Sequence, residues 1–162
     1  MTITQPHGHH LAQLNVAQAL DDLDSARLAD FVAALDKVNA VAERSPGFVW
    51  RLKSDDGGSS MEIAVSDDPR LIVNMSVWQT PEHLEQFVWN TIHKRVYNNK
   101  ANWFAAPEAA HFAMWWVGEG HEPSVEEGLA RLDHLRANGP GEHAFGWESL
   151  ANVTLWMSQR CA

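Results

Sequence analysis

LIVNMSVWQTPEHLEQFVWNTIHKRVYNNKANWF, Leu71 to Phe104, is the stretch that decides the fold. It opens as a strand. Leu71, Val73, Met75 and Val77 share one face, and Ile72, Asn74, Ser76 and Trp78 share the other, because successive strand side chains alternate. The first face is wholly apolar and is expected to pack on helices. The second combines a large aromatic with small polar groups, as the wall of a cavity would. Thr80-Pro81-Glu82 then starts a helix: Thr80 can accept from orphan backbone N–H groups, Pro81 suits the first helical position, and Glu82 complements the positive end. Leu84, Phe87 and Val88 turn inward. A second stripe of Trp89, His93 and Tyr97 at i, i+4, i+8 leaves that face, so a break is expected near Asn90-Thr91.

Upstream, His10 to Val16 reads as a first strand, with Ala12, Leu14 and Val16 on one face and Leu11, Gln13 and Asn15 on the other. The amides either need partners in a polar pocket or lie at a solvated edge. A helix capped by Asp24 or Ser25 runs to about Arg44 and is stopped by Ser45-Pro46-Gly47. Phe48 to Leu52 is a second strand, with Phe48, Trp50 and Leu52 on one side and Val49 and Arg51 on the other. Ser54 to Ser60 is a solvated loop, and Met61 to Val65 a candidate short strand. Downstream, His111 to Val117 alternates Phe112, Met114 and Trp116 with His111, Ala113 and Trp115. Ser124 and Glu127 have capping-box spacing at the start of a helix that Asn138-Gly139-Pro140 ends. His143 to Met157 is expected to form a final strand or an arm on a partner subunit.

The order strand, helix, strand, strand, helix, strand is that of an α+β, ferredoxin-like antiparallel sheet with both helices on one face. Its other face would then be apolar and bare, and a homodimer is expected to bury it. The chain reads as one domain, with a core over 10–117 and a C-terminal helix and tail over 118–162. A net charge of −9 argues against nucleic acid and against an anionic membrane surface. No run approaches the ~20 apolar residues of a membrane-spanning helix, and the first residues lack a signal peptide's apolar centre. The one cysteine, Cys161, excludes an internal disulfide and a thiolate metal site. A cytoplasmic protein is expected. His7, His9 and His10 could meet a metal only adventitiously, and no metal site is assigned. Eight tryptophans are many for this length; they are core or subunit interface, or some line a pocket for a flat ligand.

Several pieces, HLAQLNVA, SPGFVWRL, NMSVWQTPEHLEQFVW, IHKRV, WWVGEGHEPSVEEGLARLDHLRANGP and HAFGW, resemble the DUF3291 proteins over nearly the whole chain. The strand–Thr-Pro-Glu–helix arrangement is similar to the dimeric α+β barrel superfamily, which includes antibiotic-biosynthesis monooxygenases and haem-degrading IsdG-type oxygenases. In the haem-degrading members an Asn on the first strand, a Trp near the end of the third and a His on the next helix form the site. Asn15, Trp78 and His93 stand in similar places, although the fifteen-residue gap from Trp78 to His93 is longer than the family pattern.

The resemblance implies His93, Asn15 and Trp78 as catalytic residues; the reading of the strand and helix faces adds Gln13, Asn74, Trp89, Tyr97, His111 and Trp115 as a substrate-binding wall. An amide and an imidazole can hold a phenolate or enolate, and a histidine near its ordinary pKa can take the proton. The expected partner is a small flat aromatic or phenolic molecule. No cofactor is expected, although haem would suit a binding protein without catalysis. Two bland alternatives stand beside this: His93 on the helix surface near Lys94 and Arg95, and Trp78 as core. Asn15 and Asn74 are expected to approach each other, with Trp78 at the mouth and His93 above it.

Overall fold

The computed structural model describes residues 2–53, 67–91 and 93–160. The loop at 54–60 and the short strand at 61–65 expected from the sequence fall outside them. The elements that position the site are β1 (His9–Gln18), α1 (Ala29–Arg44), β2 (Phe48–Arg51), β3 (Leu71–Trp78), α2 (Pro81–Asn90), α3 (His93–Asn98), α4 (Lys100–Trp103), β4 (Phe112–Gly118), α5 (Val125–Asn138) and α6 (Leu155–Arg160). The strands form one sheet in the order β2-β3-β1-β4, every neighbouring pair antiparallel. This is the ferredoxin-like α+β order. Among the described residues no helix is long and apolar enough to cross a membrane.

β1 and β3 occupy the sheet centre, with Leu11 opposite Trp78, Gln13 opposite Ser76 and Asn15 opposite Asn74. Leu11 and Trp78 pack with Val38 and Ala42 of α1 and Leu84 and Phe87 of α2. The polar-plus-Trp face of β3 therefore meets the two crossover helices, not the apolar face as expected. Leu14, Val73, Met75 and Val77 pack on the opposite side with Leu132 and Leu135 of α5. Both faces are thus helix-packed, and alternation cannot tell which helix covers which.

α5 also removes the premise for the bare sheet face. Ala12, Leu14, Met75, Val77, Ala113 and Trp115 are all buried within one chain. Gly128 permits this approach: a Cβ there would stand 2.5 Å from Leu14 Cδ1 and 3.0 Å from Met75 Sδ. Burial of this face requires no second copy.

Local chemistry sets the helix ends. Thr80 accepts from the His83 backbone N–H at 3.3 Å, with Pro81 in the first turn, as the sequence predicts. α2 stops at Asn90, and Thr91 bridges the break: its hydroxyl donates to the Phe87 carbonyl and accepts from the His93 N–H. Two expected caps differ. Ser25 precedes a 3-10 turn, Ala26–Leu28, but caps nothing, and its buried Oγ has no partner. At α5 only half the capping box forms. Ser124 Oγ accepts from the Glu127 N–H at 3.1 Å, while the Glu127 carboxylate accepts from Trp115 Nε1 at 2.9 Å and contacts His121 Nε2 at 2.7 Å.

A register shift between Phe48 and Trp50 corrects the reading of β2. The bulge carries Phe48 onto the Trp78 side and leaves Trp50 and Leu52 packed with the α5 side. Gly47, at φ 81°, makes the turn before it, where a Cβ would collide with the His83 ring. The tail forms neither a final strand nor an arm. Phe145 bridges to Met114, Trp147–Ser149 makes a 3-10 turn, and α6 folds back on α2. Buried Phe145, Leu150 and Val153 hold it there.

Candidate small-molecule site between the sheet and its helices

A cavity of about 540 Å³ lies between the polar face of the sheet, α1, α2, α3 and the C-terminal segment. Of the residues singled out from sequence, Gln13, Asn15, Asn74, Trp78, Trp89, His93, Tyr97 and His111 all line it. Trp115 does not. It points to the opposite sheet face, fully buried, because it stands one residue out of phase with Phe112 and Met114. Its indole N–H is taken by Glu127.

Trp78 is fully buried, not at the mouth. Phe87 stacks on it at 5.1 Å between centroids, and Phe48 meets it edge-on at 5.5 Å. Core and cavity wall are therefore the same residue. Its Nε1 donates to Ser76 Oγ at 2.9 Å, and Gln13 Nε2 donates to Ser76 Oγ at 2.7 Å and to Asn74 Oδ1 at 3.1 Å. This chain of polar groups forms the cavity floor. Asn15 and Asn74 mark its open end, Asn74 being exposed and Asn15 half-buried.

His93 stands at the start of α3, its ring 5.1 Å from that of Phe87. The residue keeps some exposed surface, but Nδ1 is enclosed and without a partner. Burial pushes the imidazole down to about 4, opposed by the Val88 backbone carbonyl, which favours the charged form. The expectation of a near-ordinary pKa is thereby corrected: desolvation outweighs the one favourable contact, and the ring is neutral at pH 7. Trp89 Nε1 is likewise buried without a partner. Tyr97 meets Trp89 edge-on at 4.9 Å, and Lys100 Nζ lies 3.7 Å over the Tyr97 ring. His111 is lowered by burial, then by the charges of Lys100 and Arg136.

The sequence reading missed Ser76, Arg51, Trp147 and Trp156 as lining residues. Trp147 stacks on Phe112 at 5.8 Å and 14° and lies 6.4 Å from Trp89, roofing the cavity. Arg51 is held by Glu43, Nε to Oε1 at 2.7 Å, and that guanidinium lowers the Glu43 pKa. Ser76 was placed on the correct face by alternation; only its role as hub was not legible. Among the described residues no cluster of three or more His, Cys, Asp or Glu is placed to hold a metal.

Fold and cavity together define a ferredoxin-like α+β domain with a ligand-sized space between its sheet and crossover helices. Residues 10–161 match the family described as a domain of unknown function (DUF3291), and the chain belongs to that family. No curated protein matches it. Among solved structures it is similar to a Nitrosomonas europaea protein of unknown function, at TM-score 0.45 and 16% identity over 74% of this chain and 97% of that one. A second protein from the same organism, described as "Putative antibiotic biosynthesis monooxygenase", gives TM-score 0.45 and 17% identity over 75% and 100%. A Pseudomonas aeruginosa protein gives 0.45 and 12% over 72% and 100%.

Proposed function

We propose that this protein is a small-molecule catalyst of the antibiotic-biosynthesis-monooxygenase type, acting on a flat aromatic or phenolic substrate. One observation carries the reading: an apolar, ring-walled cavity of about 540 Å³ converges on an uncharged polar floor and an imidazole held neutral. That combination is what a planar molecule with one polar edge requires. In the reaction proposed, a ring CH2 becomes a carbonyl. One atom of dioxygen enters the carbonyl and the other leaves as water, and the substrate supplies all four electrons.

The roles of the residues follow from their chemistry. Trp78, Phe87 and Trp147 hold the ring and exclude water, while Gln13, Asn15 and Asn74 bind its oxygen. His93 is uncharged at neutral pH, and its unpartnered ring nitrogen can receive a proton. With so low a pKa it does so only as negative charge develops on a substrate beside it, which raises the imidazole pKa.

Were haem bound, His93 would be the residue to hold it, which would take the nitrogen that this reading needs as its proton acceptor. No step is routed through haem. Anthrone is a suitable test substrate. The expected result is protein-dependent oxygen uptake with equimolar anthraquinone, lost in His93→Ala. Absence of protein-dependent uptake, or a stoichiometric Soret band on adding haem, would replace this reading.

A further inference from the structure

The cavity floor contains one group whose direction is fixed and three that can follow it. An indole N–H only donates, so Trp78 fixes Ser76 Oγ as an acceptor, at 2.9 Å. The Ser76 hydroxyl still has its own hydrogen. In the orientation shown, Gln13 Nε2 donates both to Ser76 Oγ and to Asn74 Oδ1. Ser76 then accepts twice, and among the described residues nothing takes its hydrogen. Gln13 lines the cavity and makes both of its side-chain hydrogen bonds through Nε2, so Oε1 is the end of the amide left for a ligand.

A half-turn of the Gln13 amide, together with one of the Asn74 amide, makes an equally connected network. Ser76 O–H and Asn74 Nδ2 then both donate to Gln13 Oε1, over the same heavy-atom contacts of 2.7 and 3.1 Å. The Ser76 hydrogen gains an acceptor, and the Gln13 NH2 faces the cavity. Amide oxygen and nitrogen have nearly the same size, so packing does not choose between the two. Gln13 is only 8% exposed, so bulk water is largely kept from choosing for it. A ligand that prefers one polarity therefore selects it.

We propose that Gln13 is a specificity-determining residue that adapts its hydrogen-bond polarity to the ligand, presenting its carbonyl to a hydroxyl and its NH2 to a carbonyl or ether oxygen. This rests on the reading of the cavity as an aromatic-ligand site. It gives that site a definite substrate property: the protonation of the bound oxygen is not discriminated. A phenol and the carbonyl compound derived from it are both held by the same side chain.

The test uses 1-naphthol, which can donate, and 1-methoxynaphthalene, which only accepts, with dissociation constants measured by calorimetry on the full chain. Wild type is expected to bind the two within a few-fold. Gln13→Glu presents only an acceptor, and its naphthol-over-ether preference should rise roughly tenfold or more over that of wild type. Gln13→Met lacks both groups: it should weaken both probes while leaving their ratio as in wild type. It also keeps the test decisive if the carboxylate variant does not fold. A Gln13→Glu ratio equal to that of wild type, or unweakened binding of both probes by Gln13→Met, overturns the inference and leaves the cavity reading standing. Wild type that binds neither probe overturns both.

Discussion

Asn15 and Asn74 stand directly opposite each other across the β1–β3 ladder, on the sheet face that meets α1 and α2. Two amides at the open end of a cavity are little needed for folding, because both retain contact with solvent. Asn15→Leu is therefore expected to leave thermal unfolding nearly unchanged, whereas Asn74→Leu also takes the acceptor from Gln13 Nε2 and should cost about 1 kcal/mol. Each should weaken 1-naphthol binding by about 0.5–1.5 kcal/mol, the net value of one hydrogen bond. Unaltered affinity in both variants would remove the pair from the site.

His93 makes stability depend on pH in a definite direction. Its pKa falls from 6.5 to about 4 on folding, so below pH 6.5 the unfolded chain binds a proton that the folded chain refuses. Stability is fully present above the unfolded value and declines as pH drops from 6.5 toward 4, by at most ~3 kcal/mol. His93→Phe should flatten this slope in urea unfolding compared at pH 7.5 and 4.5. Identical slopes in the two proteins would mean that the ring is hydrated in solution.

Glu85 ties the roof of the cavity to α2. Its buried carboxylate accepts from the backbone N–H groups of Thr154 at 2.7 Å and Leu155 at 3.0 Å. Glu85→Ala leaves both donors without it and should cost ~2–3 kcal/mol. Proteolysis should move to the segment after Val153, with Glu85→Gln intermediate. Wild-type cleavage kinetics in Glu85→Ala would show that the tail is held by its apolar residues alone.

Gly128 lets α5 come close to Leu14 and Met75 of the sheet. Alanine there should gain up to ~1 kcal/mol of helix propensity and lose ~1–3 kcal/mol by crowding Leu14 and Met75. A net loss is expected in denaturant midpoints, and a much larger one for Gly128→Val. A stabilised Gly128→Ala would mean that Leu14 and Met75 have room to withdraw.

The sequence alone made β3, α2, the Thr80 cap and the break at Asn90 legible, since each rests on local periodicity or capping chemistry. The ferredoxin-like order followed from them. What escaped was non-local. Alternation separates the two faces of β3 but does not say that α5, some fifty residues later, covers the apolar one. One extra residue between Phe48 and Trp50 inverts the facing of the rest of β2 without any composition signal. The same phase argument that placed His111 at the cavity carried Trp115 with it, although Trp115 belongs to the far side. The low pKa of His93 depends on how Phe87 and α3 enclose it, which no spacing encodes. Trp147 and Trp156 were visible as aromatics in an apolar tail, but a strand reading sent that tail elsewhere.

The covering of the sheet by α5 has a consequence for mass action. A face buried by a second copy contributes stability that grows with protein concentration, whereas one buried by the chain's own helix contributes the same at any dilution. The residues under α5 belong to the second kind. Any self-association of this protein through other surfaces can therefore come and go without exposing the sheet, and expression level does not govern whether its core is closed.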